Sequence, residues 1–121
     1  MGKKILVIDD NSDDLFIIER CLKEAGYTEI VTAGDGNEGI RKANEERPDL
    51  IITDTILPEM DGFEVCRRVR EFLDPASHKI VIITGSIDVV DAIKARKSGA
   101  DDYCAKTSNF SALIDIVKKI L

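Results

Sequence analysis

The sequence predicts an α/β domain built on a parallel sheet. Short runs rich in Ile and Val recur along the chain without apolar–polar alternation, the pattern of strands covered on both faces. Segments with helical spacing of apolar residues separate them, so strand and helix alternate from one end to the other. Acids, a hydroxyl and an ammonium fall just after the strands, which is where an open parallel sheet places its ligand.

The first predicted strand covers residues 5–8. A helix follows over 12–25, with Ile17, Ile18, Cys21, Leu22 and Ala25 on one face and Gly26 as its stop. Residues 30–33 form the second strand. The helix over 37–46 carries Ile40 and Ala43 and ends before Pro48. The third strand is 50–53, and the helix over 62–72 carries Phe63, Val65, Cys66 and Val69. The fourth strand is 80–84, and the helix over 87–97 ends at Ser98-Gly99. A weaker fifth strand covers 103–105. Ser108 or Asn109 can cap a last helix that runs to Leu121, with Leu113, Ile116, Val117 and Ile120 facing inward. Right-handed crossovers leave few topologies for this order.

Bulk properties narrow the functional classes. A chain of 121 residues fits one ordinary domain, and 44% hydrophobic with 33% charged residues is a globular composition. The longest apolar runs are four or five residues, against roughly 20 for a transmembrane helix, so no membrane insertion is expected. Met1-Gly2-Lys3-Lys4 leads directly into the first strand without the apolar core of a signal peptide, so the expected location is the cytoplasm. The net charge of −6 argues against direct nucleic-acid binding, which needs clustered Lys and Arg. Cys21, Cys66 and Cys104 are widely spaced and read as reduced, small hydrophobes.

The residues that follow the strands carry the chemistry. Asp9 and Asp10 follow the first strand, Asp54 the third, and Lys106 the fifth, while Thr84 ends the fourth. Taken singly, each has a plainer reading: Asp9 and Asp10 as helix caps, Asp54 as a turn residue, Thr84 as an ordinary strand residue, Lys106 as a solvated amine. Their joint placement at one sheet edge favours a site. Unit charges about 4 Å apart interact by roughly 4 kcal/mol at an effective dielectric of 20, so three neighbouring carboxylates need cationic compensation. Lys106 supplies one charge, and a hard divalent cation with oxygen ligands, best matched by Mg2+, supplies the rest. An anionic nucleophile, a metal, an ammonium and a hydroxyl are the parts of phosphoryl transfer, and an Asp carboxylate can carry the phosphoryl group covalently.

Four stretches extend the pattern: Ile5-Leu6-Val7-Ile8-Asp9-Asp10, the run from Pro48 through Asp54 to Asp61-Gly62, Ile80 through Thr84-Gly85, and Gly99 through Tyr103 to Lys106. In this order and spacing the whole chain resembles the response-regulator receiver domains, the CheY-like superfamily of two-component phosphorelay signalling. The resemblance implies a single receiver domain over 1–121. Its fold would be a doubly wound (βα)5 sandwich of the flavodoxin-like kind, with strand order 2-1-3-4-5. It implies that Asp54 accepts a phosphoryl group from a sensor histidine kinase or a histidine phosphotransfer protein. It implies Mg2+ held by Asp10, Asp54 and the backbone carbonyl of Ile56, with Asp9 acting through a metal-bound water. Lys106 would pair with the acyl phosphate, Thr84 would move to a phosphoryl oxygen, and Tyr103 would turn inward with it. Such a domain is no enzyme in the ordinary sense, since it promotes only its own phosphorylation and dephosphorylation. Output in the family usually runs through the face of the fourth helix, fifth strand and fifth helix. Here that face would include Tyr103 and parts of 89–97 and 110–119, and its protein target is unspecified.

One departure stands out. The family usually has Pro after the Lys, often through a cis bond, and this chain has Thr107. A cis bond to a non-proline costs about 2.5–4 kcal/mol, so the sequence favours a trans bond with a rearranged loop. Ile56 and Ser86 occupy positions that tune the lifetime of the phosphorylated state in the family. Ile56 cannot hydrogen-bond an attacking water, so slow self-dephosphorylation is expected. Leu15, Phe16, Ile17 and Ile18 are four consecutive apolar residues, too many for one buried stripe. By the phase of Cys21, Leu22 and Ala25, Leu15 and Phe16 are expected outside, near Asp10, where they could dock a kinase or phosphotransfer protein. Two rivals fit less well. A haloacid-dehalogenase-like phosphatase, which also forms an aspartyl phosphate, resembles a DxDx[TV] motif after its first strand, whereas Asp54-Thr55-Ile56 follows the third strand and lacks the second Asp. A flavodoxin-like cofactor binder would need a Ser/Thr/Gly-rich phosphate loop where the acids 9–14 stand. Either a stand-alone regulator or a receiver cut from a larger protein fits the sequence.

Overall fold

Five strands and five helices alternate in the computed structural model, which describes residues 2–107 and 109–121. The strands are β1 (Lys4–Ile8), β2 (Glu29–Ala33), β3 (Leu50–Asp54), β4 (Lys79–Thr84) and β5 (Asp102–Ala105). The helices are α1 (Ser12–Glu24), α2 (Gly36–Glu46), α3 (Gly62–Val69), α4 (Val89–Lys97) and α5 (Ser111–Ile120). All neighbouring strands are parallel, and their order is β2-β1-β3-β4-β5. The chain steps outward from β1 to β2, then crosses back to β3 and continues the other way. The strand order therefore reverses between β1 and β3, which opens a crevice at their carboxyl ends.

The apolar runs do not alternate because both sheet faces are covered. Ile5, Val7, Leu50, Ile52, Val81 and Ile83 face α1 and α5, where Ile18, Leu22, Leu113 and Val117 meet them. Leu6, Ile8, Ile51, Ile80 and Ile82 face the other way, toward Ala43, Val65, Cys66, Val69 and Ala95 of α2, α3 and α4. Two cores thus flank one sheet, and each strand supplies both. β2 departs from this expectation: four of its five residues are exposed or only half-buried, because it is an edge strand with one neighbour. Cys21, Cys66 and Cys104 are free thiols. Burial pushes those of Cys66 and Cys104 up to about 11.

Local chemistry sets the helix starts. Asn11 caps α1 by accepting from the Asp13 and Asp14 amides, and Asp35, Asp61 and Asp88 cap α2, α3 and α4 in the same way. Thus neither Asp9 nor Asp10 is spent on capping. Gly26, at φ 103°, ends α1 in the left-handed conformation that a glycine adopts most readily. Several helix boundaries are tighter than the sequence suggests. α3 ends at Val69, and 70–72 form a turn. α4 begins at Val89, behind its Asp88 cap. α5 begins at Ser111, and its cap position is Phe110, which has φ 54° and no side-chain hydrogen bond. Phe110 is 3% exposed, so burial of its ring among the α1–α5 core residues fixes this start. Of the two predicted caps, Ser108 lies outside the described residues, and Asn109 accepts from the Ser111 amide at 3.1 Å.

Candidate functional site

Sheet register brings the predicted residues together. Ile8 pairs with Thr53, so Asp9 emerges beside Asp54. Asp54 pairs with Ile83 and Thr84 with Ala105, so Thr84 and Lys106 follow in steps across the same edge. Asp9, Asp10 and Asp54 each offer a carboxylate oxygen, and these oxygens lie within 4.8 Å of one another. Asp9 is fully buried and Asp54 is 8% exposed, whereas Asp10 is exposed and forms the open side of the group.

Lys106 sits among the acids. Its Nζ lies 3.0 Å from Asp54 Oδ2, 2.8 Å from Asp9 Oδ2 and 2.8 Å from Asp14 Oδ2. The contacts to Asp54 and Asp14 are hydrogen bonds. The approach to Asp9 Oδ2 has ion-pair distance without hydrogen-bond geometry, which leaves that enclosed oxygen without a donor among the described residues. Burial alone would lower the Lys106 pKa, but the contacts with Asp14, Asp9 and Asp54 outweigh it and raise it, so the amine is firmly protonated. Burial raises the Asp9 carboxyl, against the pull of Lys106 and of the Asn11 amide on Oδ1.

This donor set fits a hard divalent cation. All the donors are oxygens, one side is open, and a single ammonium faces four carboxylates. Three of those carboxylates already share the one ammonium, so positive charge is in deficit. Ile56, whose carbonyl the sequence nominates as a further donor, directs its backbone amide toward Asp54 Oδ1 at 3.5 Å and leaves its side chain 78% exposed.

Thr84 stands close by and is engaged elsewhere. Its hydroxyl donates to the Ser86 carbonyl at 3.0 Å and accepts from the Ser86 amide at 3.2 Å, with the Thr55 hydroxyl 3.4 Å away. Ser86 itself is exposed. Tyr103 is half-buried, and its hydroxyl is enclosed without a partner among the described residues. It borders a groove of about 460 Å³ beside α4, together with Ile87, Val89 and Ile93. The Lys106–Thr107 bond is trans, since the described chain contains no cis peptide.

One sequence expectation changes. Leu15 is not outside: it is half-buried and packs against the α1–α5 core. The phase of α1 is set by its buried residues Ile18 and Leu22, and Leu15 lies three residues before Ile18 on the same stripe. Phe16 does project outward, at 67% exposure. The residue that sequence reasoning missed is Asp14. In the sequence it is one of four acids within six residues, and its contact with Lys106 spans 92 positions. Gly62 also gains a reason. A Cβ there would run into the Asp54 carbonyl oxygen, because α3 begins pressed against the backbone of the acid. The Gly62 amide donates to the Thr55 carbonyl at 2.9 Å, which ties the two segments together.

Comparison with known proteins agrees with this geometry. The model of the response regulator receiver domain family matches residues 5–118. The alkaline phosphatase synthesis transcriptional regulatory protein PhoP of Bacillus subtilis (strain 168) is 37% identical over 121 residues. The match covers 100% of this chain and 49% of PhoP, so the chain spans about half the length of that relative. The chemotaxis protein CheY4 of Vibrio cholerae superposes with a TM-score of 0.92 at 30% identity, covering 100% of both chains. A CheY-like receiver domain protein of Methanospirillum hungatei JF-1 gives a TM-score of 0.86 at 28% identity, covering 99% of this chain and 94% of the other. Among the described residues no helix is long and apolar enough to cross a membrane.

Proposed function

The chain belongs to the response regulator receiver domain family, and from that premise we propose that Asp54 is its phosphoryl acceptor. The observation that carries the assignment is the setting of the Asp54 carboxylate. It ends the central strand β3, lies 3.0 Å from the Lys106 ammonium, and shares an oxygen cluster with Asp9 and Asp10. One Asp54 oxygen attacks the phosphorus of a phosphohistidine on a sensor kinase or phosphotransfer protein. The new bond is Asp54 O–P; the bond that breaks is P–N, and its electron pair stays on the donor imidazole. Asp9, Asp10, Asp54 and the Ile56 carbonyl would hold Mg2+, Asp9 by way of a water. Bound there, the ion would neutralise charge on the transferring phosphoryl oxygens. Lys106 would pair with a phosphoryl oxygen. The domain promotes only its own phosphorylation and dephosphorylation.

Thr84 and Tyr103 are the reporting pair. The Thr84 hydroxyl is held by the Ser86 backbone, at the end of the strand next to Asp54. Its transfer to a phosphoryl oxygen would exchange those bonds for a charge-assisted one. Tyr103 lies on the adjacent strand, in register with Ile82, and borders the groove beside α4. The reading covers residues 1–121 as one receiver domain, placed in the cytoplasm with its kinase; whether it works alone or as part of a longer protein, the downstream target would meet the α4–β5–α5 face. Ile56 and Ser86 tune the phosphate lifetime, and Phe16 is the exposed element of the kinase-docking patch.

The test is incubation with acetyl phosphate, with and without Mg2+. The expected product is an acid-stable, base-labile phosphate on Asp54 that depends on Mg2+ and is absent from Asp54→Asn. Equal labelling of Asp54→Asn, or none of the wild type, would overturn the assignment.

A further inference from the structure

Lys106 is shared by one acid more than the acceptor chemistry requires. An ammonium has three donor hydrogens. Its neighbours in the structure are Asp9, Asp54 and Asp14, all at 3.0 Å or less. Asp9 and Asp54 belong to the oxygen cluster at the strand ends. Asp14 does not: it stands in the first turn of α1, and its side chain is 26% exposed. The Asp14 carboxylate has no other partner among the described residues; only its backbone amide is tied down, by Asn11.

We propose that Asp14 is a positioning residue that competes with the phosphoryl group for the Lys106 ammonium and thereby restrains phosphorylation of Asp54. This inference rests on the Asp54 reading above. A phosphoryl group on Asp54 needs Lys106, and Asp14 holds one of the two ammonium hydrogens engaged in hydrogen bonds. Asp9 is fully enclosed and cannot turn to water. Asp54 is the residue being modified. Asp14, at the rim, is the one that can rotate into solvent. Until it does, its charge cancels much of the attraction that Lys106 offers an anionic phosphodonor. The same carboxylate adds negative charge near the cation site, so it helps the metal while hindering the phosphoryl group. Lys106 is 17% exposed, which keeps this pair from being screened like an open surface one.

Asp14→Asn keeps the size and one acceptor oxygen and removes the charge. Asp13→Asn removes the same charge from the same turn; Asp13 is exposed and touches neither Lys106 nor the cluster. Phosphorylation is measured with acetyl phosphate over a range of Mg2+. For Asp14→Asn the rate at saturating Mg2+ rises about fivefold, the factor for a partly exposed ion pair at the strong end of its range. The Mg2+ concentration giving half the maximal rate also rises. A fold lesion would instead lower the rate while weakening the metal. In metal-free protein, limiting acetylation read by peptide mass spectrometry labels Lys106 faster in Asp14→Asn than in the wild type. Asp13→Asn matches the wild type in all three measurements. An Asp14→Asn rate at or below wild type, with Asp54 still labelled in the wild type, would overturn this inference alone. An equal rise in Asp13→Asn would replace it with a long-range charge effect. Failure of the wild type to label Asp54 would remove both readings.

Discussion

Replacing Lys106 by Met removes one positive charge and keeps most of the side-chain length. Of the three acids it leaves behind, Asp14 reaches solvent and Asp54 is slightly exposed, whereas Asp9 has 0% exposure. Removing one partner of a buried pair costs about 3–5 kcal/mol, because the other charge stays buried. A proton sets the ceiling on that cost. Neutralising a carboxyl at pH 7 takes about 4 kcal/mol, from about three pH units at about 1.36 kcal/mol each. The expected loss of unfolding free energy at pH 7 in chelator is therefore about 3–4 kcal/mol. At pH 5 the same ceiling is only about 1.5 kcal/mol. Burial already raises the Asp9 carboxyl in the wild type, and losing Lys106 raises it further. The folded variant then holds the Asp9 proton to higher pH than the unfolded chain does. The contribution of this one group is thus greatest below the unfolded value of about 4 and is lost as pH rises through the folded one. Urea titrations at pH 5 and pH 7, with EDTA, measure this. Equal losses at the two pH values, or a loss under about 1 kcal/mol at pH 7, would refute the idea that Lys106 compensates a trapped Asp9 charge.

Three further outcomes follow from the geometry. Gly62→Ala should cost about 1–3 kcal/mol, since its Cβ displaces the Asp54 carbonyl, and it should slow phosphorylation; an unchanged urea midpoint and rate would count against the close approach. Ile56→Asn should speed loss of the phosphate severalfold by offering an attacking water a hydrogen-bond partner, and an unchanged half-life by base-labile phosphate assay would reject that role. Phe16→Ala should leave acetyl phosphate labelling intact and slow transfer from a phosphohistidine donor several-fold; equal transfer rates would show the exposed ring to be incidental.

The sequence made Asp9, Asp10, Asp54, Thr84 and Lys106 readable because each stands directly at or after a strand. In a parallel sheet, position along the strand is enough to assign a residue to one edge. Asp14 was not readable in this way. Its contact depends on how α1 lies over the sheet and on how far the Lys106 chain reaches, and neither leaves a mark in spacing. Leu15 failed for a smaller reason: the stripe was phased from Cys21, Leu22 and Ala25, while Ile18 with Leu22 sets it. β2 reads as covered on both faces because Ile30-Val31-Thr32-Ala33 resembles the central strands in composition, and composition does not say which strand is last. The start of α5 was hidden because burial of Phe110, rather than a polar cap, determines it.

The enclosed hydroxyl of Tyr103 has a consequence of its own. A buried hydroxyl without a partner carries a penalty of about 1–3 kcal/mol, which the packing of the ring has to offset. An outward swing would hydrate the oxygen and give up the packing, so the penalty offsets part of what holds the ring inward. A side chain held in this way is more easily turned than one whose hydroxyl is satisfied. Filling the gap with a good hydrogen-bond partner is expected to stabilise the domain and fix the ring in its present place.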